Sequence, residues 1–363
     1  PDGDGAVTIN VVADRFTDSI GNGNVASDEF NWTYDSTPPS DFTTGSVITT
    51  GGLVVASYWN NTNTGLDITV PLDYDASLNS GLIQIQGKVN NNVFENLGDA
   101  VTITEVISTS ATTQTVSFIR DNITELTDFS DGAIITINAI LTDFAGNSTV
   151  GSPSTTTLTL DETKPSITIT SSEGSDGFTS NDGTLSLTFT SNESTTDFEV
   201  GKISVTNGTL SSFSGSGTTY TATLTPDGDG DVTINVLADQ YTDTAGNNNT
   251  ASDEFNWIYD TIAPTMIIEA VEGSDGFASN DLTLSLMFNS SESTIDFTVG
   301  DISVTNGTLS SFSGSGTTYT ATLTPDGDGA VTINVVADRF TDSIGNGNVA
   351  SDEFNWTYDS TPP

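Results

Sequence analysis

Apolar and polar residues alternate with a period of two in short stretches along the whole chain. Residues 184–189, 220–224 and 232–236 each place their apolar side chains on one face, as a half-buried β-strand does. Glycine, aspartate, asparagine and serine separate these stretches, as in Asp-Gly-Asp-Gly at 227–230. No helical periodicity is sustained over residues 166–363. About seven short strands in about 100 residues are typical of an immunoglobulin-like β-sandwich, so we predict an all-β fold.

The sequence also repeats itself with a period of 99 residues. Residues 166–264, the first repeat, align along their whole length with residues 265–363, the second repeat. Residues 203–230 are identical to residues 302–329. An active site does not require a copy of itself beside it, whereas a protein built for length or for multivalent contact uses such copies. The repeats therefore favour a structural role over a catalytic one.

Two further segments precede the repeats. Residues 1–39, the terminal copy, are identical to 325–363 and predict only the last two strands of a sandwich. Either the remainder of that domain lies outside this sequence, or another chain completes it by strand addition. Residues 40–165, the middle segment, predict a longer variant sandwich with one helical turn at 121–128. The predicted architecture is a row of Ig-like β-sandwiches placed end to end as an extended rod, with domains at 1–39, 40–165, 166–264 and 265–363.

The amino-acid composition excludes several kinds of functional site. The 363 residues include no cysteine and no histidine, and 6 Lys and Arg stand against 49 Asp and Glu, a formal net charge of −43. Disulfides, Cys/His zinc sites and histidine-based catalytic triads are thereby excluded. Phosphate binding needs Lys and Arg, so the charge also argues against nucleic acid and against direct membrane contact. The acidity has two interpretations: solubility in salty surroundings, or carboxylates that serve as ligands for a hard cation.

Two aspartates and an asparagine recur at fixed spacing in the pattern Asp-x-x-x-Asp-x-x-Gly-Asn. Calcium takes six to eight oxygen ligands, and carboxylate, amide and main-chain oxygens of such loops supply them. The pattern is not an EF-hand, which needs a twelve-residue loop ending in Glu. Asp-Gly and Asn-Gly are also ordinary turn residues, and most surface aspartates are simply solvated, so a turn without metal remains the alternative.

Acidic residues are predicted to gather where neighbouring sandwiches meet. In an up-and-down sandwich the B–C and F–G connections share the end at which the chain enters, and the A–B and E–F connections share the end at which it leaves. Carboxylates crowded at such a joint repel unless a cation lies between them. We therefore predict Ca²⁺ at the joints. The predicted ligands are Asp14, Asp18, Asn22, Asp35, Asp73, Asp75, Asp143, Asn147, Asp161, Glu173, Asp176, Glu193, Asp197, Asp227, Asp229, Asp239, Asp243, Asn247, Asp260, Glu272, Asp275, Glu292, Asp296, Asp338, Asp342 and Asn346.

The combined motifs resemble a known family. TLTPDGDG followed by VTINV, then AD-x-x-TD-x-x-GN and a YD-x-x-x-P linker, resembles the bacterial Ig-like repeats of giant cell-surface adhesins. The middle segment is similar to Ig-like repeats in very large proteins of gliding and biofilm-forming Bacteroidetes. The resemblance covers essentially the whole chain. It implies an extracellular, calcium-stabilised stalk that supports adhesion, biofilm formation or gliding, with neighbouring repeats, surface glycans or other cells as partners, and it identifies no ligand.

The aromatic residues, the threonine rows and the carboxylates raise three alternative functions: glycan or protein binding, ice binding and catalysis. Trp32, Trp257 and Trp356 alternate with polar neighbours and predict core positions. Tyr58 and Trp59 also predict core, but they are the first choice for a glycan site if the middle segment is a carbohydrate- or protein-binding module. Ice binding by threonine rows is a third alternative. Glycosidases need only two carboxylates, but these carboxylates lie in short loops with no predicted cleft, so we predict that the chain is not an enzyme.

Overall fold

The computed structural model describes residues 1–105 and 110–362. They form two compact units: the first holds the described residues up to 165 together with Ser194–Asp197 and Tyr241–Thr250, and the second holds the rest. Strands dominate both units, which confirms the predicted all-β class.

The first unit contains twelve strands, one short α-helix and one 3-10 turn. The helix α1, Arg120–Thr124, lies where the sequence predicts a helical turn, although it begins one residue earlier and is shorter. The strands are β1 (Gly5–Ile9), β2 (Phe30–Tyr34), β3 (Val47–Thr50), β4 (Tyr58–Asn60), β5 (Gly65–Leu72), β6 (Leu82–Val89), β7 (Glu95–Asn96), β8 (Val101–Thr102), β9 (Thr112–Ile119), β10 (Ile134–Thr142), β11 (Ser148–Val150) and β12 (Leu158–Asp161), and the 3-10 turn is Ala76–Leu78.

The middle segment is a sandwich of two sheets. One has the order β3-β5-β9, and the other has the order β4-β12-β10-β6-β7 with β11 and β8 attached to β10 and β6. Their inward faces share one hydrophobic core, in which Leu66 and Ile68 of β5 lie with Ile83 of β6 and Ile137 of β10. Trp59 is completely buried in this core, which confirms the core prediction and removes it as an accessible sugar-binding ring.

The second unit holds the second repeat, and it holds the first repeat without Ser194–Asp197 and Tyr241–Thr250. Each repeat has seven strands and a 3-10 turn. The first repeat has β13 (Ile167–Ser171), β14 (Phe178–Ser180), β15 (Leu185–Thr195), β16 (Ser204–Thr206), β17 (Gly208–Pro226), β18 (Gly230–Asn235) and β19 (Phe255–Tyr259), with a 3-10 turn at Val200–Lys202. The second has β20 (Met266–Ala270), β21 (Phe277–Ser279), β22 (Leu284–Thr294), β23 (Ile302–Thr305), β24 (Gly307–Pro325), β25 (Gly329–Val335) and β26 (Phe354–Tyr358), with a 3-10 turn at Val299–Asp301.

Each repeat is a sandwich of a three-stranded and a four-stranded sheet. In the second repeat the sheets have the orders β20-β22-β24 and β21-β26-β25-β23. Their inward side chains form one core, with Leu286 and Phe288 from one sheet against Val331 and Trp356 from the other. The sheets of the first repeat have the matching orders β13-β15-β17 and β14-β19-β18-β16.

The first strand of each repeat changes sheets, which the sequence did not predict. In the first repeat, β13 pairs with β15, the chain then crosses over, and β14 runs parallel to β19 in the other sheet. The crossing loop therefore lies along the side of the sandwich. This corrects the predicted position of Glu173 and Asp176 at the end where the chain leaves, because β14 must still run to that end before β15 returns.

The terminal copy shows what the three-stranded sheet contributes. It folds only as the β1–β2 pair, and its Trp32 is 47% exposed, whereas the identical Trp356 is 1% exposed. The core prediction therefore holds for Trp257 and Trp356 but not for Trp32. The reason is local: among the described residues, no three-stranded sheet covers the β1–β2 face.

Candidate metal centre

The Asp-x-x-Gly-Asn segment folds into a loop that its own aspartate holds together. In the second repeat, Asp342 is only 3% exposed, and its Oδ1 accepts hydrogen bonds from the backbone N–H groups of Ile344, Gly345 and Asn346 at 2.7–2.9 Å. Its Oδ2 accepts from Asn346 Nδ2 at 2.9 Å. The pattern thus has a structural role, since an unpaired buried N–H is costly.

The same loop recurs three times in the first unit. Asp18, Asp143 and Asp243 each accept a hydrogen bond from the backbone N–H of the following asparagine, and each accepts from the side-chain amide of that asparagine at 2.9 Å. The sequence pattern therefore predicts a geometry that four segments share.

The loop asparagine also binds the linker that precedes its domain. Within the first unit, the Nδ2 of Asn147 donates to the backbone carbonyl of Asp35 at 3.2 Å, and the Nδ2 of Asn247 donates to that of Asp161 at 2.9 Å. Within the second unit, Asn346 Nδ2 donates to the backbone carbonyl of Asp260 at 3.0 Å. Each linker aspartate is thus tied to the loop that follows it through its main-chain carbonyl, and Asp161 Oδ1 also accepts from Asn247 Nδ2 at 3.3 Å.

Three carboxylates converge at this joint in the second unit. One oxygen each of Asp260, Glu292 and Asp342 lie within 4.8 Å of one another. Burial raises the pKa of Glu292, and the nearby charges of Asp260 and Asp342 raise it further. Burial also acts to raise the pKa of Asp342, but the hydrogen bonds from Asn346 and its loop neighbours outweigh it and lower the pKa below its usual value. The joint therefore holds Asp342, whose ionised form is stabilised, beside Glu292, whose ionised form is disfavoured.

The first unit shows the same electrostatic strain at its linker. Burial raises the pKa of Asp161, and the charges of Asp243 and Asp131 add to the effect. Glu193, which aligns with Glu292 in the 99-residue repeat, belongs to the second unit.

Protonation of Glu292 provides a test of this crowding. Its pKa is raised in the folded state above the ordinary 4.5, so its contribution to folding is fully present below pH 4.5 and is lost as the pH rises through the folded pKa. In metal-free protein, lowering the pH from about 7 to about 4 should raise the melting temperature of the wild type by more than that of Glu292→Gln. Scanning calorimetry in a chelating buffer measures the difference, and equal pH responses would contradict the crowding.

The other predicted ligands at this joint have partners of their own. Asp296 accepts hydrogen bonds from the backbone and hydroxyl of Thr341. Asp338 has a positive φ of 57°, as do its counterparts Asp14 and Asp239 at 63° and 60°, so the first aspartate of the pattern forms a left-handed turn. Asp229 accepts from the backbone N–H and hydroxyl of Thr261. These contacts position loops and linkers.

The carboxylates of the crossing loops lie away from the joint. Asp176 and Asp275 accept from the backbone N–H groups of Asn256 and Asn355 at 2.7 Å, beside β19 and β26. Glu272 accepts from the backbone N–H of Ser285, as Glu173 does from Ser186. Burial acts to raise the pKa of Glu173, but hydrogen bonds from Ser171 and Ser186 outweigh it and lower the pKa to about 2.

The remaining predicted ligands also lie in loops. Asp75 caps the 3-10 turn through the backbone N–H of Ser77, and Asp197 accepts from the backbone N–H of Thr242. Asp73 precedes the same turn, and Asp227 follows β17. Metal ligation by the predicted set stays a prediction, and three of its members converge in the second unit.

Several amides that were not among the predicted site residues complete the joints. In the second unit, Asn181, just after β14, donates from Nδ2 to Asn346 Oδ1 at 3.0 Å. In the first unit, Asn60 Nδ2 donates to the carbonyl of Ala245 at 2.7 Å, and the backbone N–H of Asn61 donates to Asn247 Oδ1 at 2.8 Å. The recurrence of Ser-Asn-Asp at 180–182 and 279–281 was the available signal.

Comparison with solved structures returns matches of low similarity. Invasin, a bacterial integrin-binding protein, is 16% identical with a TM-score of 0.31, and the match covers 86% of this chain and 59% of that chain. A structure concerning a 1.5-MDa bacterial ice-binding adhesin is 13% identical with a TM-score of 0.35, covering 89% and 98%. The C-terminal domain of the Streptococcus agalactiae AgI/II polypeptide BspA is 10% identical with a TM-score of 0.32, covering 60% and 99%.

Family assignment rests on the sequence instead. No curated protein matches the chain. Within the described part of the chain, no helix combines the length and apolar character needed to cross a membrane. The bacterial Ig-like domain family matches residues 161–259 and 260–358, which together make up more than half of the sequence. The chain belongs to the bacterial Ig-like domain family.

Proposed function

We propose that this chain is part of the stalk of a repetitive bacterial surface adhesin or filament, stiffened by Ca²⁺ at its joints. One observation carries the proposal: the same asparagine–linker hydrogen bond recurs behind Asp35, Asp161 and Asp260. A catalytic or single-ligand protein has no need to fix three successive linkers in the same way. A spacer that holds a distant binding head away from the cell does, because free joints would shorten its reach.

The crowded carboxylates support a metal at these joints. Two unit charges a few ångströms apart repel by about 4 kcal/mol at the effective dielectric of a protein surface. The donors at Asp260, Glu292 and Asp342 are all oxygens, which suits a hard cation, and we propose main-chain carbonyls of the loop and linker as the further ligands that calcium needs. Ca²⁺ would offset the repulsion and join the linker to the following domain.

We also propose where the chain is located and what its partners are. The net charge of −43 suits a surface exposed to salt water and disfavours nucleic acid and anionic membrane. We therefore place the chain outside the cell, on an outer-membrane-anchored or secreted filament. Its neighbours are further Ig-like repeats, and adhesion to glycans or other cells, biofilm formation or gliding is the task of the parent protein.

A calcium titration tests the metal. At free Ca²⁺ of about 100 times its dissociation constant, each occupied joint gains about 2.7 kcal/mol of stability, so the melting temperature should rise with calcium and fall again with a chelator. Asp260→Asn with Glu292→Gln should abolish the gain of the second unit. Asp326→Asn with Asp352→Asn, two exposed aspartates, is the charge-matched control and should retain it. Identical calcium responses in both variants would contradict this site.

Solution scattering tests the stalk. A compact globule of this length has a radius of gyration of about 21 Å. We expect a much larger value for the calcium-loaded chain, with a sharper distance distribution than in the chelated chain. A calcium-loaded radius near that of a globule would overturn the stalk while leaving the metal site to the titration.

A further inference from the structure

The outer edge of the second repeat carries a groove. The first repeat has a groove at the matching position, but different residues line it. The groove follows the edge strand β20 and the crossing loop after it, with a volume of about 680 Å³. Ile267 and Val271 of its lining are 60% and 75% exposed, and Met287 and Glu269 lie beside them. A smaller recess adjoins it and adds the exposed carboxylates of Asp352 and Glu353. The surface is therefore both apolar and acidic.

The strand β20 leaves one side of its backbone available for pairing. It is the outermost strand of its sheet, and Val271 N–H donates to Ser285 while Ser291 N–H donates to Thr265. In an antiparallel pair successive residues point their N–H and C=O groups to opposite sides. Residues 265, 267, 269 and 271 therefore face β22, and the backbone groups of Met266, Ile268 and Ala270 face the open edge.

The first repeat provides an internal comparison. The matching groove is lined by Ile169, Thr170, Ser171 and Ser172, and it is smaller, at about 420 Å³. Thr170 stands where the second repeat has Glu269, and Ser172 stands where it has Val271. Over residues 203–230 the two repeats are identical, so the edge is one of the places where they have diverged. A spacer function alone gives no reason to place a bare apolar and acidic edge on one copy, since exposed edges invite association.

We propose that the β20 edge of the second repeat is a docking site for an extended peptide segment of another protein, in which lysine or arginine alternates with apolar residues. The segment pairs with the open backbone of Met266, Ile268 and Ala270 as an added strand. Its apolar side chains lie over Ile267 and Met287 on the outer face of the sheet, and its basic side chains, which project from the opposite face of the added strand, meet Asp275, Asp352 and Glu353. Asn289 orients Glu269 by donating from Nδ2 to its Oε2 at 3.3 Å.

Charge selects this occupant over a second copy of the chain. Pairing of two β20 strands would bring Glu269 of each copy into the same acidic groove, and each chain carries a net charge of −43. Like charges set opposite one another destabilise a strand pair. A basic segment gains from the same field, which also accelerates its association at low salt.

Peptide binding to the whole chain tests the site. The probe is a short, N-acetylated and C-amidated peptide of alternating lysine and valine, measured by isothermal titration calorimetry. We expect one peptide per chain. Two peptides of equal charge serve as controls: one with its lysines grouped together, and one with alternate backbone nitrogens methylated so that they cannot pair. Both should bind at least about 10-fold more weakly, because they keep the charge but lose the strand register.

Variants that exchange the chemistry of the two repeats complete the test. Glu269→Thr with Val271→Ser copies the first repeat, which already folds with these residues, and should weaken binding at least about 10-fold. Thr168→Ile, Thr170→Glu, Ser172→Val and Thr188→Met in the first repeat should raise the stoichiometry from one to two. Equal binding of the three peptides, unchanged binding to the Glu269→Thr/Val271→Ser chain, or self-association through this edge in sedimentation would each overturn the proposal.

Discussion

Replacement of Trp356 by alanine should destabilise the second repeat by about 3–5 kcal/mol, the usual cost of removing a large aromatic side chain from a core. Trp356 is 1% exposed and stacks on Phe277 at a centroid distance of 6.3 Å. Its Nε1 donates to the hydroxyl of Ser279 at 3.1 Å. The substitution therefore leaves a cavity between the two sheets and removes one hydrogen bond from the hydroxyl of Ser279 on β21.

The terminal copy supplies a control of identical local sequence. Trp32→Ala changes the same residue in the same run of 39, but Trp32 is already 47% exposed. It should change stability by about 0.5 kcal/mol or less, as ordinary surface substitutions do. If the two substitutions cost the same, the covering sheet contributes nothing to the burial of Trp356.

The repeated sequence dictates how this is measured. Fragments from 325–363 and 1–39 have the same mass, so hydrogen exchange by mass spectrometry cannot separate them. Fragments that contain Met287 and Asn289 of β22 are unique, because Thr188 and Thr190 stand at the matching positions of β15. Trp356→Ala should accelerate exchange across β22, and the matching fragments of β15 report on the unaltered first repeat. Loss of protection in β15 alone would contradict the assignment of Trp356 to the core of the second repeat.

The fold was predictable because alternation of apolar and polar residues is a local property. Val232 and Ile234 are buried while their neighbours are not, as a period of two requires. The sheet change between β13 and β14 was not predictable in the same way. Alternation tells which side chains face inward, but not which strand lies alongside, and both sheets of a sandwich accept the same pattern.

Part of the candidate site was also predictable from the sequence, and part was not. The spacing of Asp342 and Asn346 predicted a loop with special chemistry, and the structure brings Asp342 together with Glu292 and Asp260. The sequence could not show that Asp342 first satisfies its own loop, nor that Asn346 binds the linker through a main-chain carbonyl. Every residue carries a backbone carbonyl whatever its type, so the sequence does not indicate which carbonyl accepts a hydrogen bond.

Asp342 should be the costliest carboxylate of the second repeat to remove. In Asp342→Ala the backbone N–H groups of Ile344, Gly345 and Asn346 lose their common acceptor. One to three kcal/mol is the usual cost of leaving one buried donor unpaired, and water reaches some of the three, so we expect a loss of about 3 kcal/mol in metal-free protein. Asp18→Ala in the exposed terminal copy is the control and should change the melting of the second repeat by nothing measurable.

Asp342→Asn separates the hydrogen bonds from the charge. An asparagine oxygen still accepts from the loop N–H groups, but its amide opposes the Nδ2 of Asn346, so stability should fall between those of wild type and Asp342→Ala. The pH profile gives the sign of the charge contribution. The pKa of Asp342 is lowered in the folded state, so its stabilisation is present above the ordinary value of 3.8 and is lost as the pH falls through the folded pKa. Chemical denaturation between about pH 2 and pH 7 should show a larger acid loss of stability in wild type than in Asp342→Asn, which keeps the acid loss of the other carboxylates. An equal acid loss in both would mean that Asp342 acts as a hydrogen-bond acceptor alone, and that a cation at the joint gains no stabilised charge from it.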